Sequence, residues 1–315
     1  MHTNKKILIA LGGNALSRSG EKGTIEEQLL HVKETCEYCV DLINEGYDLV
    51  ITHGNGPQVG NILLKNEFSA DKIPPMPLDV CGAQTQGMIG YLIQQQLYNQ
   101  LKKHKINKPV VTICSQVLVD QHDIAFKKPT KPIGPFYTEK RAEELRKEKG
   151  WYIIEQAGKG FRRVVPSPTP IEIIESSVIK KFVDEQVIVI ACGGGGIPVI
   201  NNQHGYLEGV EAVIDKDRTA AILAEKIGAD ILLILTDVEH VAINFNTPKQ
   251  LNLSKITVEE GQNYLKNGEF GIGSMGPKVE AACHFIMSGG KKAIITSLEM
   301  CKDALHGKSG TLIIK

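Results

Sequence analysis

Five short runs of aliphatic and β-branched residues constrain this chain more than any other feature: KKILIAL (5–11), YDLVITH (47–53), VIVIACGG (187–194), DILLILTDV (230–238) and KAIITSL (292–298). A sixth run, PVVTICSQVLV (109–119), reads the same way. Their apolar residues are continuous instead of alternating, so both faces of each strand need cover, as in a parallel sheet between two layers of helices. Longer amphipathic stretches lie between the runs, one from about Thr24 to Asn44 and another from about Gln58. This βα rhythm predicts a three-layer α/β/α sandwich with a mainly parallel central sheet.

Two segments interrupt the rhythm. From about residue 120 to 170 the chain is rich in proline and charge and holds its single tryptophan, Trp151. An inserted, protruding subdomain with its own hairpins and helices is expected there, with Phe136, Tyr137, Trp151 and Phe161 packed together. NNQHGYLEGVEAV (201–213) carries turn residues and predicts a hairpin near residue 205. This divides the chain into a first lobe, 1–205, and a second, 206–315.

Charge excludes some partners. Lys plus Arg and Asp plus Glu balance at 36 each in 315 residues, so no global field draws the protein to nucleic acid or anionic lipid. Any anion must be bound locally. Seven cysteines, an odd number in apolar settings, suit reduced core residues in the cytoplasm and not a secreted disulfide framework. Lys5 and Lys6 precede only five continuous apolar residues, Ile7 to Leu11, too few for a signal-peptide core, and no stretch is long enough to span a bilayer.

The chemistry is expected beyond the carboxyl ends of the strands, where open parallel sheets bind ligands. Three glycine clusters lie at such ends: Gly12, Gly13 and Asn14; Gly54, Asn55 and Gly56; and Gly193 to Gly196. Glycine lets backbone amides approach phosphate oxygens. Each cluster alone is equally well a tight turn, whereas three together favour a phosphate or carboxylate site. Lysines stand beside them. Lys216, flanked by Asp215 and Asp217, opens a helix after the apolar VEAVI run. Lys278 opens another helix after GIGSMGP, and Lys131 sits between prolines in a loop of the insertion that is expected to fold over an anionic site as a lid. Glycine amides with two or three lysines suffice for phosphoryl transfer, which depends on positioning and charge neutralisation.

Other motifs fail on context. Gly271, Gly273 and Gly276 spell GxGxxG but follow polar KNGEF instead of a strand, and Gly54, Gly56 and Gly60 miss the dinucleotide spacing by one residue. Gly307, Lys308 and Ser309 imitate a P-loop end, with Lys302 where its first glycine belongs. Cys36 and Cys39 share a helical face with Leu29, Val32 and Ile43, as core residues do, and His53 at a strand end is read as structural.

Several longer segments carry a family likeness: ALGGNAL (10–16), HGNGPQVGN (53–61), MPLDVCGAQTQGMIGY (76–91), PTKPIGPFYT (129–138), VVPSPTP (164–170), CGGGGIPV (192–199), GVEAVIDKD (209–217), LTDV (235–238), GSMGPKVEAA (273–282) and AIITSL (293–298). Through them the chain resembles, nearly end to end, the carbamate kinases of the amino acid kinase family. PTKPIG and VIDKD separate that branch from acetylglutamate kinases and aspartokinases. The resemblance implies reversible transfer between ATP and carbamate, ATP-forming in arginine fermentation, although some relatives make carbamoyl phosphate for biosynthesis. Mg²⁺ with ATP or ADP is implied, bridging phosphates and without direct protein ligands.

By the same likeness, Gly12, Gly13 and Asn14 with Gly54, Asn55 and Gly56 line the acceptor and the transferring group in the first lobe. Lys216 and Lys278 hold nucleotide phosphates in the second lobe, Asp217 orients those lysines, and Lys131 supplies charge from the insertion. Other amino acid kinases place a lysine in the first glycine turn where this chain has Ala10, a gap that Lys131 fills. Thr236, Asp237, Val238 and Met275, with Ala242 to Asn246, border the nucleotide. A homodimer is implied, in contact through the helix after MPLDVCGAQTQG, where Met88, Ile89, Leu92 and Ile93 suit an interface or a core equally. The alternatives are another amino acid kinase with a larger carboxylate, a non-catalytic nucleotide-binding protein of the same fold, and a dinucleotide oxidoreductase.

Overall fold

The structure is a computed structural model and describes residues 5–18, 20–270 and 275–315. Eight strands form the central sheet, in the order Lys255–Thr257, Thr311–Ile314, Lys292–Ser297, Ile231–Thr236, Lys5–Leu11, Tyr47–His53, Ile188–Ala191 and Val110–Ile113. All neighbours run parallel except Thr311–Ile314 against Lys292–Ser297. Lys5–Leu11 lies at the centre, with Leu8 in register with Leu232 on one side and Val50 on the other.

The helices are α1 (Ile25–Asn44), α2 (Gly56–Ser69), α3 (Leu78–Lys103), α4 (Glu139–Lys149), α5 (Ser176–Asp184), α6 (Lys216–Ile227), α7 (Val258–Lys266), α8 (Met275–Met287) and α9 (Cys301–Leu305). Successive strand residues face opposite ways, so Ile7, Ile9 and Leu11 pack under α1, α3 and α9, while Leu8 and Ala10 pack under α5, α6 and α8. The expected three layers are present. On the central strand both faces are fully buried from Ile7 to Leu11, and truncating a residue such as Ile9 to alanine costs about 2–5 kcal/mol.

Local signals set the helix ends. Thr24 caps α1 by accepting from the Glu27 amide at 3.3 Å, while the Glu27 carboxylate accepts from the Thr24 amide at 2.9 Å. Cys36 and Cys39 lie in the core beneath this helix; burial raises both thiols, that of Cys39 to about 12, which makes them inert. Asp215 caps α6 through the amides of Asp217 (3.0 Å) and Arg218 (3.3 Å), and Gly228 ends that helix with φ 67°.

The run at 109–119 divides instead of forming one strand. Val110–Ile113 joins the central sheet, and Gln116–Val119 enters a second sheet with Leu207–Gly209, Ile197–Asn201 and Pro170–Ile173. Long-range bonds fix the break: the Ser115 amide donates to Gln86 Oε1 (2.8 Å) and Ser115 Oγ accepts from the Cys192 amide (3.0 Å). The hairpin near residue 205 is present as Ile197–Asn201 paired antiparallel with Leu207–Gly209.

The insertion contains a three-stranded sheet, Lys131–Tyr137, Gly160–Val165 and Ile153–Gln156, covered by α4. Tyr137, Trp151 and Phe161 pack on Ala142, Leu145 and Ile153. Phe136 does not join them. Adjacent strand residues point to opposite faces, so with Tyr137 inside, Phe136 faces out, beneath the Arg162 guanidinium at 5.3 Å.

Candidate active site

The glycine clusters at 12–13, 54–56 and 193–196 converge past the carboxyl ends of neighbouring strands. The Gly54 amide donates to the Leu11 carbonyl at 3.1 Å, which ties the first two turns together. A Cβ on Gly12 would meet the Leu235 carbonyl oxygen at 2.7 Å, so only glycine fits there. Gly194 and Gly195 have φ 68° and 97°, and side chains on them would strike Asn55 Nδ2 at 2.2 Å and the Ile214 carbonyl at 2.3 Å. The third cluster therefore acts as a floor under Asn55 and the approach to α6. Asn55 is further held by donating to Thr85 Oγ1 at 2.8 Å.

A cavity of about 180 Å³ opens above these turns, lined by Gly54, Asn55, Gly56, Lys131, Asp215, Lys216, Asp217 and Lys278 among others. Three lysines thus arrive from three directions: Lys216 at the first turn of α6, Lys278 from the first turn of α8, and Lys131 from the insertion. Lys131 begins a strand and is not carried on a loop as expected; pairing of Lys131–Tyr137 with Gly160–Val165 fixes its backbone.

Two buried carboxylates organise the cations. Asp217 accepts from Lys216 Nζ at 2.5 Å through Oδ1 and from Lys278 Nζ at 3.0 Å through Oδ2. Asp215 accepts from Lys131 Nζ at 2.8 Å while it caps α6. Three ammonium groups against two carboxylates leave one surplus positive charge facing the cavity. Burial lowers the Lys216 pKa, the Asp217 charge opposes that shift, and the Lys278 charge adds to it. Burial likewise opposes ionisation of Asp215, but the Lys131 charge and hydrogen bond outweigh it and hold the carboxyl down at about 2.

His53 lies beneath the site, 1% exposed, with Nδ1 2.9 Å from the Gly54 carbonyl. Burial lowers its pKa to about 4 against the opposing Gly54 bond, with Lys216 adding to the drop. A neutral ring with Nδ1 donating buttresses the second glycine turn and adds no charge.

Gly12, Thr236 and Asp237 line a second cavity, of about 110 Å³, with Ala15, Arg18, Leu235, Ser297, Leu298 and Glu299. Gly13 sits in a single helical turn, Gly13–Ala15, with its amide 3.9 Å from where a Gly54 Cβ would be. Asn14 belongs to that turn, and its side chain lies outside the described residues, as do Gly271 and Gly273 of the GxGxxG run. Val238 is half-buried just past the strand Ile231–Thr236, and Met275 opens α8 and packs on the core. Asp215 is the participant that sequence reasoning left without a role, although an Asp directly before a helical pattern signals a cap. Among the described residues no group of three or more His, Cys, Asp or Glu could hold a metal ion, and no helix is long and apolar enough to cross a membrane.

Residues 5–297 match the amino acid kinase family. The chain is 53% identical over 311 residues to a carbamate kinase of Pyrococcus horikoshii, covering 98% of this chain and 99% of that protein. It is 51% identical over 314 residues to a carbamate kinase of Clostridium perfringens, covering 98% and 100%. The solved carbamate kinase of Giardia lamblia bound to AMP-PNP superposes with a TM-score of 0.93 at 45% identity, over all of both chains. Fold, glycine turns and full-length likeness agree, and the chain belongs to the amino acid kinase family.

Proposed function

We propose that this chain is a carbamate kinase, transferring a phosphoryl group reversibly between ATP and carbamate to give ADP and carbamoyl phosphate. The observation that carries the reading is the convergence of Lys131, Lys216 and Lys278 on one small cavity. The cavity is small, about 180 Å³, and no arginine lines it to clamp a larger carboxylate. Asp215 and Asp217 are both committed to lysines, so neither serves as a strong base. The acceptor must arrive already anionic, as carbamate does.

In this reading the turns formed by Gly12, Gly13 and Asn14 and by Gly54, Asn55 and Gly56 border the acceptor and the migrating group. Lys216 and Lys278 neutralise its equatorial oxygens and the nucleotide phosphates, with Asp217 fixing both. Lys131 covers the acceptor side. Thr236, Asp237, Val238 and Met275 border the nucleotide; the likeness to a Giardia enzyme bound to AMP-PNP supports an adenine nucleotide. Mg²⁺ would be brought by the nucleotide and would supply charge neutralisation at its phosphates; the carboxylates of the cavity, Asp215 and Asp217, are already engaged by lysines.

The finer reading places residues 1–205 as the acceptor lobe, 206–315 as the nucleotide lobe and 120–170 as a lid. Carbamoyl phosphate is a mixed anhydride and a strong phosphoryl donor, which supports ATP formation in cytoplasmic arginine fermentation. A homodimer through α3 is supported by a division along that helix. Ile89, Leu92 and Ile93 are core, whereas Met88, Tyr91 and Tyr98 face outward, the two tyrosines beside the edge strand Val110–Ile113. The reading is tested by mixing the purified protein with ADP, Mg²⁺ and carbamoyl phosphate and following ATP. Equimolar ATP is expected; ATP from N-acetylglutamyl phosphate but not from carbamoyl phosphate would overturn it.

A further inference from the structure

The strand that carries Lys131 is pinned at both ends. At one end Lys131 Nζ donates to Asp215 at 2.8 Å; at the other, the Tyr137 hydroxyl donates to Glu67 at 3.0 Å. Glu67 belongs to α2, the helix whose first residue, Gly56, lines the cavity. The same carboxylate accepts from Arg141 Nη2 at 3.1 Å, and Arg141 stands in the first turn of α4. One largely buried carboxylate of the main body, its side chain 16% exposed, thus receives two donors from separate elements of the insertion.

Packing is uneven along this joint. Near Lys131 the seat is dense: Ile133 is buried against Val59, Leu78, Cys81 and Val165, and a Cβ on Gly60 would touch Gly134 Cα at 3.4 Å. From Ile133 and Gly134 outward to Tyr137 a cavity of about 380 Å³, lined also by Glu67, Trp151 and Arg163, opens between the two bodies. Polar bonds, and not side-chain packing, therefore hold the far end. Burial and the Glu67 charge push the Tyr137 pKa up, so its hydroxyl stays a donor at every working pH. Removing the carboxylate leaves the half-buried Tyr137 hydroxyl without its acceptor, which is costlier than losing an exposed pair, while Arg141 keeps Glu144 and Glu148.

We propose that Glu67 is a positioning residue that tethers the insertion to α2 and so keeps Lys131 in the phosphoryl site. The inference rests on Lys131 acting as a site cation. A purely structural tether would lower stability and leave turnover alone, whereas this one acts through Lys131, so the two substitutions must not add.

The experiment measures kcat and KM for carbamoyl phosphate in wild type, Glu67→Ala, Glu67→Gln, Tyr137→Phe, Lys131→Ala and the double variant Glu67→Ala/Lys131→Ala. Thermal melts and the emission of Trp151, the single tryptophan, report folding and the joint. Glu67→Ala should lower kcat roughly tenfold. Glu67→Gln and Tyr137→Phe should lower it less, with all three folded. Glu148→Gln, which touches Arg141 on its outer side at 3.4 Å, should leave turnover unchanged. In the Lys131→Ala background the Glu67 substitution should cost less than about twofold. An equal loss in both backgrounds, or none in wild type, overturns the tether while the Lys131 reading stands. Normal turnover by Lys131→Ala overturns both.

Discussion

Lys131 Nζ lies 2.8 Å from Asp215 Oδ2, and this pair joins the insertion to the cap of α6. The residues are 84 positions apart, so the contact exists only because the insertion folds back over the strand ends. Asp215 thereby performs two tasks: it fixes the start of the helix that carries Lys216 and Asp217, and it receives the lysine that the insertion brings.

Lys131→Ala should lower turnover about 10²–10³-fold, the range for removing one oxyanion donor, while circular dichroism and melting show the fold retained. Steady-state ATP formation checks it. Unchanged kcat would mean that the insertion supplies no charge to the reaction.

Lys216→Ala and Lys278→Ala should each cost about 2.7–4 kcal/mol of transition-state stabilisation. Asp217→Asn should approach either of them, because one carboxylate holds both ammonium groups. Turnover of the Asp217 variant within a few-fold of wild type would show that the lysines position themselves.

Acid should weaken the fold in two windows. Asp215 falls from an ordinary 3.8 to about 2, so its contribution is complete above pH 3.8 and is lost as pH drops towards 2, about 2 kcal/mol in all. His53 falls from 6.5 to about 4, so stability is complete above pH 6.5 and drops by about 3 kcal/mol as pH falls to 4. Urea unfolding of wild type and His53→Asn at pH 7 and pH 4.5 separates the second window. The variant should lose less stability than wild type over that interval, and equal losses would assign the effect elsewhere.

Gly195→Ala should be damaging although no side chain is deleted. Its φ of 97° and a Cβ 2.3 Å from the Ile214 carbonyl force a backbone shift at the approach to α6, costing about 3 kcal/mol or more. Chemical denaturation measures the loss, and an unaltered midpoint would contradict the packing described.

What the sequence displayed and what it concealed follow from the range of the interactions. Apolar runs and the Thr24 cap are local, so the strands and the start of α1 were legible residue by residue. Lys216 and Lys278 were legible because glycine turns and helix starts mark the ends of strands. The break at Cys114–Ser115 was not, because Gln86 and Cys192 impose it from 29 and 77 positions away. Asp215 looked like a neighbour of Lys216, and its partner in the insertion was invisible without the fold. Phe136 was legible in principle: in a strand it cannot share a face with Tyr137.

The most direct measurement is a crystal structure with a non-hydrolysable ATP analogue and Mg²⁺. The γ-phosphate should lie against the Gly12–Gly13 and Gly54–Gly56 turns, within hydrogen-bond reach of Lys216 and Lys278. A triphosphate bound away from those glycines and both lysines would contradict it.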